Sequence, residues 1–308
     1  MLLIVTNSND ATVDFALPAI AARGIEHRRL NTDEYPGQVG IFAGSTTSRL
    51  ALQDGPVDLE ALSAIWWRRP TPPRIDGREP AVARWAESEA RAALDGLWPA
   101  AETTRWVNHP ERNRRGQDKI RSLRLAARLG LRSPEWIVTN EPTAAKKFAD
   151  EHPGGIIAKA IVAGRIDDCR TLWSTAIEDL SALEAIGPEP SFLQRLVAKR
   201  HDVRVTVIGE HAFPVRIDAS HDPDGAVDWR RSEPTNVIYQ PSSITPTIEH
   251  GCLQMMRELG LQFATFDFAV DHASEYHYLE INPNGQWAWI ERETGLPLAE
   301  HLAALLDA

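Results

Sequence analysis

Two β-forming runs near the C-terminus constrain this chain more than any other feature. Phe263-Ala264-Thr265-Phe266-Asp267-Phe268-Ala269-Val270 and Tyr278-Leu279-Glu280-Ile281-Asn282 are separated by Asp271-His272-Ala273-Ser274-Glu275, a run of turn-forming residues. A hairpin with a four-residue loop over 272–275 pairs Asp271 with Tyr276 and sets Asp267 opposite Glu280. Directly opposed side chains in an antiparallel pair lie about 5 Å apart and share a face. Asn282 joins them because side chains alternate along a strand. Three hard oxygen donors on one face suit Mg²⁺, which favours carboxylates, water and phosphates. A surface turn accounts for Asn282-Pro283-Asn284-Gly285. It does not account for a glutamate ending an apolar strand opposite an aspartate.

The bulk numbers agree with a globular protein large enough for two or three lobes. The chain has 308 residues, 43% hydrophobic and 25% charged. A net charge of −10 argues against a dedicated nucleic-acid binder. The longest apolar runs are far short of the roughly 18 residues of a membrane span, so no membrane partner is expected. Cys169 and Cys252 have neither metal spacing nor a disulfide framework, and a cytoplasmic location is expected.

Periodicity gives a β-α-β opening: a strand over Leu2 to Thr6, a helix over Thr12 to Arg23 and a strand over Glu26 to Leu30. Further strands are expected at 64–67, 136–139, 155–160, 202–208 and 211–217, with Gly209-Glu210 turning between the last two. Helices are expected at 80–98, 118–129, 142–151 and 298–308, and a glycine-containing loop at 162–165. The fold class is α/β (α+β).

Chemistry-bearing residues follow in a fixed order: Lys119 opening a helix, Lys159 ending a strand, the loop at Gly164, the segment Gln194-Arg195-Leu196-Val197, then Asp202, Arg204, Arg216, Asp267, Glu280 and Asn282. Alone, Lys119 reads more readily as an ordinary solvated helix residue, and Lys159 is nearly as ambiguous. As an ordered set they resemble the ATP-grasp fold, with an N-terminal α/β lobe (1–114), a central lobe (115–190) and a C-terminal lobe (191–308) clasping ATP. That resemblance implies that Lys119 and Lys159 pinch the phosphates, that Gln194, Leu196 and Val197 read adenine, and that Asp202 accepts from the ribose. Arg204 and Arg216 would hold the transferred phosphate, and Asp267, Glu280 and Asn282 would hold Mg²⁺. The sequence singles out no general base among Asp202, His201 and solvent.

A narrower resemblance rests on other motifs. Asn282-Pro283-Asn284-Gly285-Gln286-Trp287 with Trp289-Ile290-Glu291 and Thr294-Gly295-Leu296-Pro297-Leu298, and Ile65-Trp66-Trp67-Arg68-Arg69-Pro70, are similar to signatures of the graspetide synthetases. The Ile217 to Arg230 segment resembles a third. These ATP-grasp enzymes cyclise ribosomal precursor peptides: ATP activates Asp or Glu side chains, and Ser or Thr (ester) or Lys (amide) closes the ring with release of ADP and phosphate. The resemblance implies ATP and Mg²⁺, a precursor peptide with a leader and an acidic, Thr-rich core, and a homodimer. Arg68, Arg69, Asp218, Asp228, Trp229 and Arg230 are the expected peptide contacts, with the leader on 217–238. The alternatives are an ATP-grasp amino-acid or protein C-terminal ligase, and a non-catalytic nucleotide- or peptide-binding module.

Overall fold

The computed structural model describes residues 1–162 and 172–307. The expected glycine-containing loop at 162–165 falls outside them except for Val162, as does Cys169. The chain resolves into two compact units.

The first unit holds residues 1–113, 261–263 and 284–308. Strand β1 (Leu2–Thr6) is entirely buried, as its unbroken apolar run requires. It leads through helix α1 (Ala11–Ala22) to β2 (His27–Asn31). An antiparallel meander follows, β3 (Gly40–Ala43), β4 (Ser48–Leu52) and β5 (Gly55–Asp58), then β6 (Ala64–Trp67), α2 (Pro80–Asp95) and β7 (Arg105–Val107). The parallel sheet has the order β2-β1-β6-β7. The meander was absent from the sequence reading, because its glycines, serines and threonines dilute the alternation that marks a strand. Trp67, Trp98 and Trp106 pack mutually, with ring centroids 5.3, 5.9 and 6.2 Å apart. This accounts for part of the unusual tryptophan content as aromatic core.

Buried Asn108 uses its whole carboxamide. Its Nδ2 donates to the Phe263 carbonyl (2.8 Å) and to Asn113 Oδ1 (2.9 Å), and its Oδ1 accepts from the amides of Gln262 and Phe263. A distant piece of chain is thereby held in this unit, with every donor and acceptor satisfied.

The second unit holds residues 114–260 and 264–283. Beyond α3 (Pro110–Gln117), which straddles the unit boundary, it contains α4 (Lys119–Arg128), β8 (Trp136–Thr139), α5 (Pro142–Asp150), β9 (Ile156–Lys159) and β10 (Thr175–Ala176). Next come β11 (Ser191–Arg195), β12 (Lys199–Ile208), β13 (His211–Asp218), β14 (Ile238–Pro241), α6 (Pro246–Leu259), β15 (Phe263–Asp271) and β16 (Tyr276–Asn282). Two terminal helices, α7 (Ala288–Thr294) and α8 (Leu298–Asp307), belong to the first unit. The second unit carries two sheets, ordered β10-β9-β11-β8 and β14-β13-β12-β15-β16. Asp118 caps α4 by accepting from the Arg121 amide (2.9 Å), which fixes where Lys119 leaves the helix.

Helix α6 approaches Leu131 so closely that a Cβ on Gly251 would lie 2.5 Å from Leu131 Cδ2 and 2.9 Å from Cγ. Gly251→Ala gains roughly 1 kcal/mol of helix propensity, but overpacking at a buried site costs about 1–3 kcal/mol. The expected net result is a lowered melting temperature, read by thermal denaturation.

Candidate active site

The hairpin β15–β16 sets Asp267 opposite Glu280 and Thr265 opposite Asn282. The expected pairing is present, but its route differs. Val270 pairs with Tyr276, one step tighter than the four-residue loop requires, and Ser274 turns the chain at φ +66°. A left-handed residue ending a three-residue loop is a recurrent hairpin solution. A bulge between Asp267 and Phe268 skips Leu279 and restores the register, so two deviations of one residue cancel.

Asp267, Glu280 and Asn282 line a cleft of about 510 Å³ within the second unit, together with Lys119, Lys159, Lys199, Asp202 and the Asp228-Trp229-Arg230 segment. Most of the sequence-predicted nucleotide and metal residues therefore converge. Arg204 grips Asp267 bidentately through one guanidinium edge, Nε to Oδ1 and NH2 to Oδ2, each 2.7 Å. It also lies 5.6 Å from the Trp229 ring centroid. Glu280 has Lys119 Nζ 3.5 Å away on one oxygen and Arg230 NH1 3.8 Å away on the other. Burial works to raise its pKa, yet Lys119, Arg230 and Lys159 outweigh it and hold the carboxyl below the usual range. Lys119 Nζ donates to the Ala160 carbonyl (2.6 Å), tying α4 to the end of β9. Asp228 caps its own short turn and accepts from the Arg230 guanidinium at 2.8 and 3.1 Å.

Burial pushes the Lys159 ammonium down to about 8, only partly offset by Glu280 and worsened by Lys119. Lys159 thus loses its charge as pH rises through about 8. Affinity for an anionic ligand is expected to be flat below that pH and to fall above it. Lys159→Arg, whose charge persists, is expected to remove the alkaline decline in ATP titrations between pH 6 and 9.

The Gln194 side chain is buried, and neither its Nε2 nor its Oε1 has a hydrogen-bond partner in the structure. It shares a strand face with Phe192, above which Lys119 Nζ sits 5.6 Å from the ring centroid. An unpaired buried carboxamide costs about 1–3 kcal/mol, so a polar ligand edge is its natural complement. The neighbouring backbone is partly committed: the Leu196 amide donates to Gly155 and the Val197 carbonyl accepts from Lys199.

The structure places several of the expected site residues away from this cleft. Arg216 pairs with Val203 across β12–β13, so it lies on the face opposite Asp202 and Arg204 and does not line the cleft; it is ion-paired with Asp218. Asp218, held well down by Ser220 and Arg216 against the effect of burial, belongs to that opposite face too, and so does His201. Arg68 is 1% exposed and donates to the Asn284 carbonyl and to Gln286 Oε1 (2.8 Å), with Asp10 3.7 Å away. It braces the first unit from inside. Arg69 is exposed, and its carbonyl accepts from Asn7. The sequence reading missed Lys199, a third lysine in the cleft, because nothing in its local pattern distinguishes it from Arg200.

Among the described residues no three of His, Cys, Asp and Glu converge to hold a metal. A Mg²⁺ ion would rely on Asp267, Glu280, the Asn282 carboxamide, and phosphate and water oxygens. That hard-oxygen, partly wet donor set is the one Mg²⁺ prefers, so the residues fit the ion. Among the described residues no helix is long and apolar enough to cross a membrane.

Comparison with known proteins agrees with this geometry. Residues 1–114 match the MvdD pre-ATP-grasp domain family. The solved macrocyclase MdnC of Microcystis aeruginosa, bound with its precursor peptide MdnA, is 28% identical; the match covers 100% of this chain and 99% of MdnC, with a TM-score of 0.88. A RiPP-associated ATP-grasp ligase of Chryseobacterium gregarium, in complex with ADP and leader and core peptides, is 24% identical over 99% of this chain and 96% of its own, with a TM-score of 0.89. The ATP-grasp ligase PsnB, complexed with minimal precursor, Mg and ADP, shares the fold at 20% identity, 99% and 96% coverage and a TM-score of 0.79. No curated protein matches. The fold is the ATP-grasp fold of these structures, and the cleft is consistent with a ligase of that class. Within that class the chain matches the graspetide synthetases, the group its tryptophan and Asn-Pro-Asn-Gly motifs resemble.

Proposed function

We propose that the protein uses ATP and Mg²⁺ to cross-link side chains of a ribosomal precursor peptide. A substrate Asp or Glu carboxylate attacks the γ-phosphorus, the bond to the β-phosphate oxygen breaks, and ADP leaves. The resulting acyl phosphate is attacked by a Ser or Thr hydroxyl, giving an ester, or by a Lys amine, giving an amide. Phosphate departs, and the nucleophile's proton is lost to a base or to solvent.

The observation that carries this reading is the pairing of Asp267 with Glu280 beneath Lys119, Lys159 and Arg230. Such a site is built to neutralise a triphosphate through a bridging cation, and phosphoryl transfer needs chiefly positioning and charge compensation. Mg²⁺ supplies charge neutralisation between the phosphates. Lys119 and Lys159 serve the phosphates as point charges. Gln194 meets the adenine edge, beside Leu196 and Val197, and Asp202 the ribose. Arg204 and Arg230 face the reacting carboxyl and phosphoryl oxygens, with Trp229 and Asp228 holding them. We keep the division into 1–114, 115–190 and 191–308 as the functional plan, and a homodimer as the assembly. The need for ATP and for a newly made peptide favours the cytoplasm.

The rival ATP-grasp reading, ligation of a free amino acid, shares every nucleotide contact. The whole-length likeness to a peptide macrocyclase favours cyclisation over it. The discriminating experiment is ADP release by the purified enzyme. Release that requires a Thr- and acid-rich precursor peptide supports the proposal; release that requires only free amino acids refutes it.

A further inference from the structure

Three lysines line the cleft, and the third has a task unlike the other two. Lys199 opens β12, and its Nζ donates to Asp202 Oδ2 at 2.6 Å and to the Val227 carbonyl at 3.1 Å. Both side chains of the ion pair are buried, 11% and 9% exposed. Two of the three ammonium protons are therefore committed to the protein, which leaves Lys199 poorly suited to clamp phosphate. Asp202 sits in a demanding place. It is withdrawn from water and lies within electrostatic reach of Asp267 and Asp228, all of which disfavour its charge. Lys199 is its partner. By taking Oδ2, Lys199 fixes the orientation of a carboxyl that lines the cleft. Through Val227 the same ammonium ties the start of β12 to the residue preceding Asp228-Trp229-Arg230.

We propose that Lys199 is the positioning residue for ribose recognition: it orients Asp202 as the acceptor of the nucleotide's sugar hydroxyls. The proposal rests on the reading of the cleft as an ATP site and adds a residue and a specificity to it. A lysine that merely stabilised the fold would not alter discrimination between sugars.

The test is equilibrium binding of Mg·ATP and Mg·2′,3′-dideoxy-ATP to the full-length protein without peptide. Loss of two hydrogen bonds to a buried carboxyl, each worth about threefold in affinity, predicts that wild type prefers ATP by about tenfold. Lys199→Met is expected to reduce that preference below about threefold, Lys199→Arg to recover part of it, and Lys199→Met with Asp202→Asn to discriminate no less than Asp202→Asn alone. Where the methionine variant does not fold, Lys199→Gln gives the same reading. A Lys199→Met or Lys199→Gln variant that folds and binds with the wild-type preference overturns the proposal, as does a wild type with no preference. The two readings fail separately. A wild type that prefers ATP but cross-links no peptide contradicts the ligase function and leaves Lys199's role standing. A wild type that cross-links peptide without sugar preference does the reverse.

Discussion

Glu280→Ala is expected to lower peptide-dependent ATP turnover by roughly 10³-fold while leaving the protein folded. A bound metal contributes several kcal/mol of charge stabilisation during transfer, and each 1.36 kcal/mol is tenfold in rate. Glu280 is the point where the site's charges meet, with Lys119 at 3.5 Å and Arg230 at 3.8 Å. Removing it leaves Lys119, Lys159 and Arg230 without their shared counter-charge and takes away the carboxylate opposite Asp267. The side chain is 28% exposed, so water can fill the space and no large loss of stability follows. Steady-state turnover beside a circular-dichroism melt checks both halves. Turnover within threefold of wild type would remove Glu280 from the metal set.

Arg204→Met is expected to act on stability as well as rate. Its guanidinium makes two parallel 2.7 Å bonds to Asp267, with both side chains largely buried. Truncating one partner of a buried pair strands the other charge, which typically costs about 3–5 kcal/mol. A divalent cation can take the guanidinium's place beside Asp267. The melting temperature of the variant should therefore fall in metal-free buffer and recover with added Mg²⁺ by more than wild type gains, because a ligand that binds only the folded state stabilises it by mass action. Turnover should stay more than about 10²-fold down even with saturating metal, if Arg204 acts on the transferring group as proposed. A variant whose melting temperature ignores Mg²⁺ would show that Asp267 does not face the cation.

Much of this site was legible in the sequence because strand chemistry is local. Two β-forming runs with a turn between them predict the Asp267–Glu280 pairing, and alternation adds Asn282. The prediction reached the correct pair through a loop one residue too long, with the bulge at Leu279 making up the difference. A bulge of that kind depends on how β16 packs against its neighbours and leaves no mark in composition. The same alternation rule that gathered the hairpin separates Arg216 from Arg204: Arg204 pairs with Val215 and Arg216 with Val203, so one residue of offset turns an expected catalytic arginine to the far face.

The motifs that narrowed the resemblance most are scaffold. Trp66 and Trp287 are buried, and Arg68 is spent on the 284–286 segment. Their pattern reports how the first unit is packed. Lys199 illustrates the opposite gap. Its partners lie 3 and 28 residues away, and only the folded cleft distinguishes it from the basic residue beside it.

The most direct measurement of the central claim is the mass of a Thr- and acid-rich precursor peptide after incubation with the enzyme, ATP and Mg²⁺, run beside the Glu280→Ala variant. Loss of one water mass per ring with wild type, and an unchanged mass with the variant, is the predicted result. A mass gain equal to an added amino acid would contradict it, and so would an unchanged peptide alongside folded, ATP-binding wild-type protein.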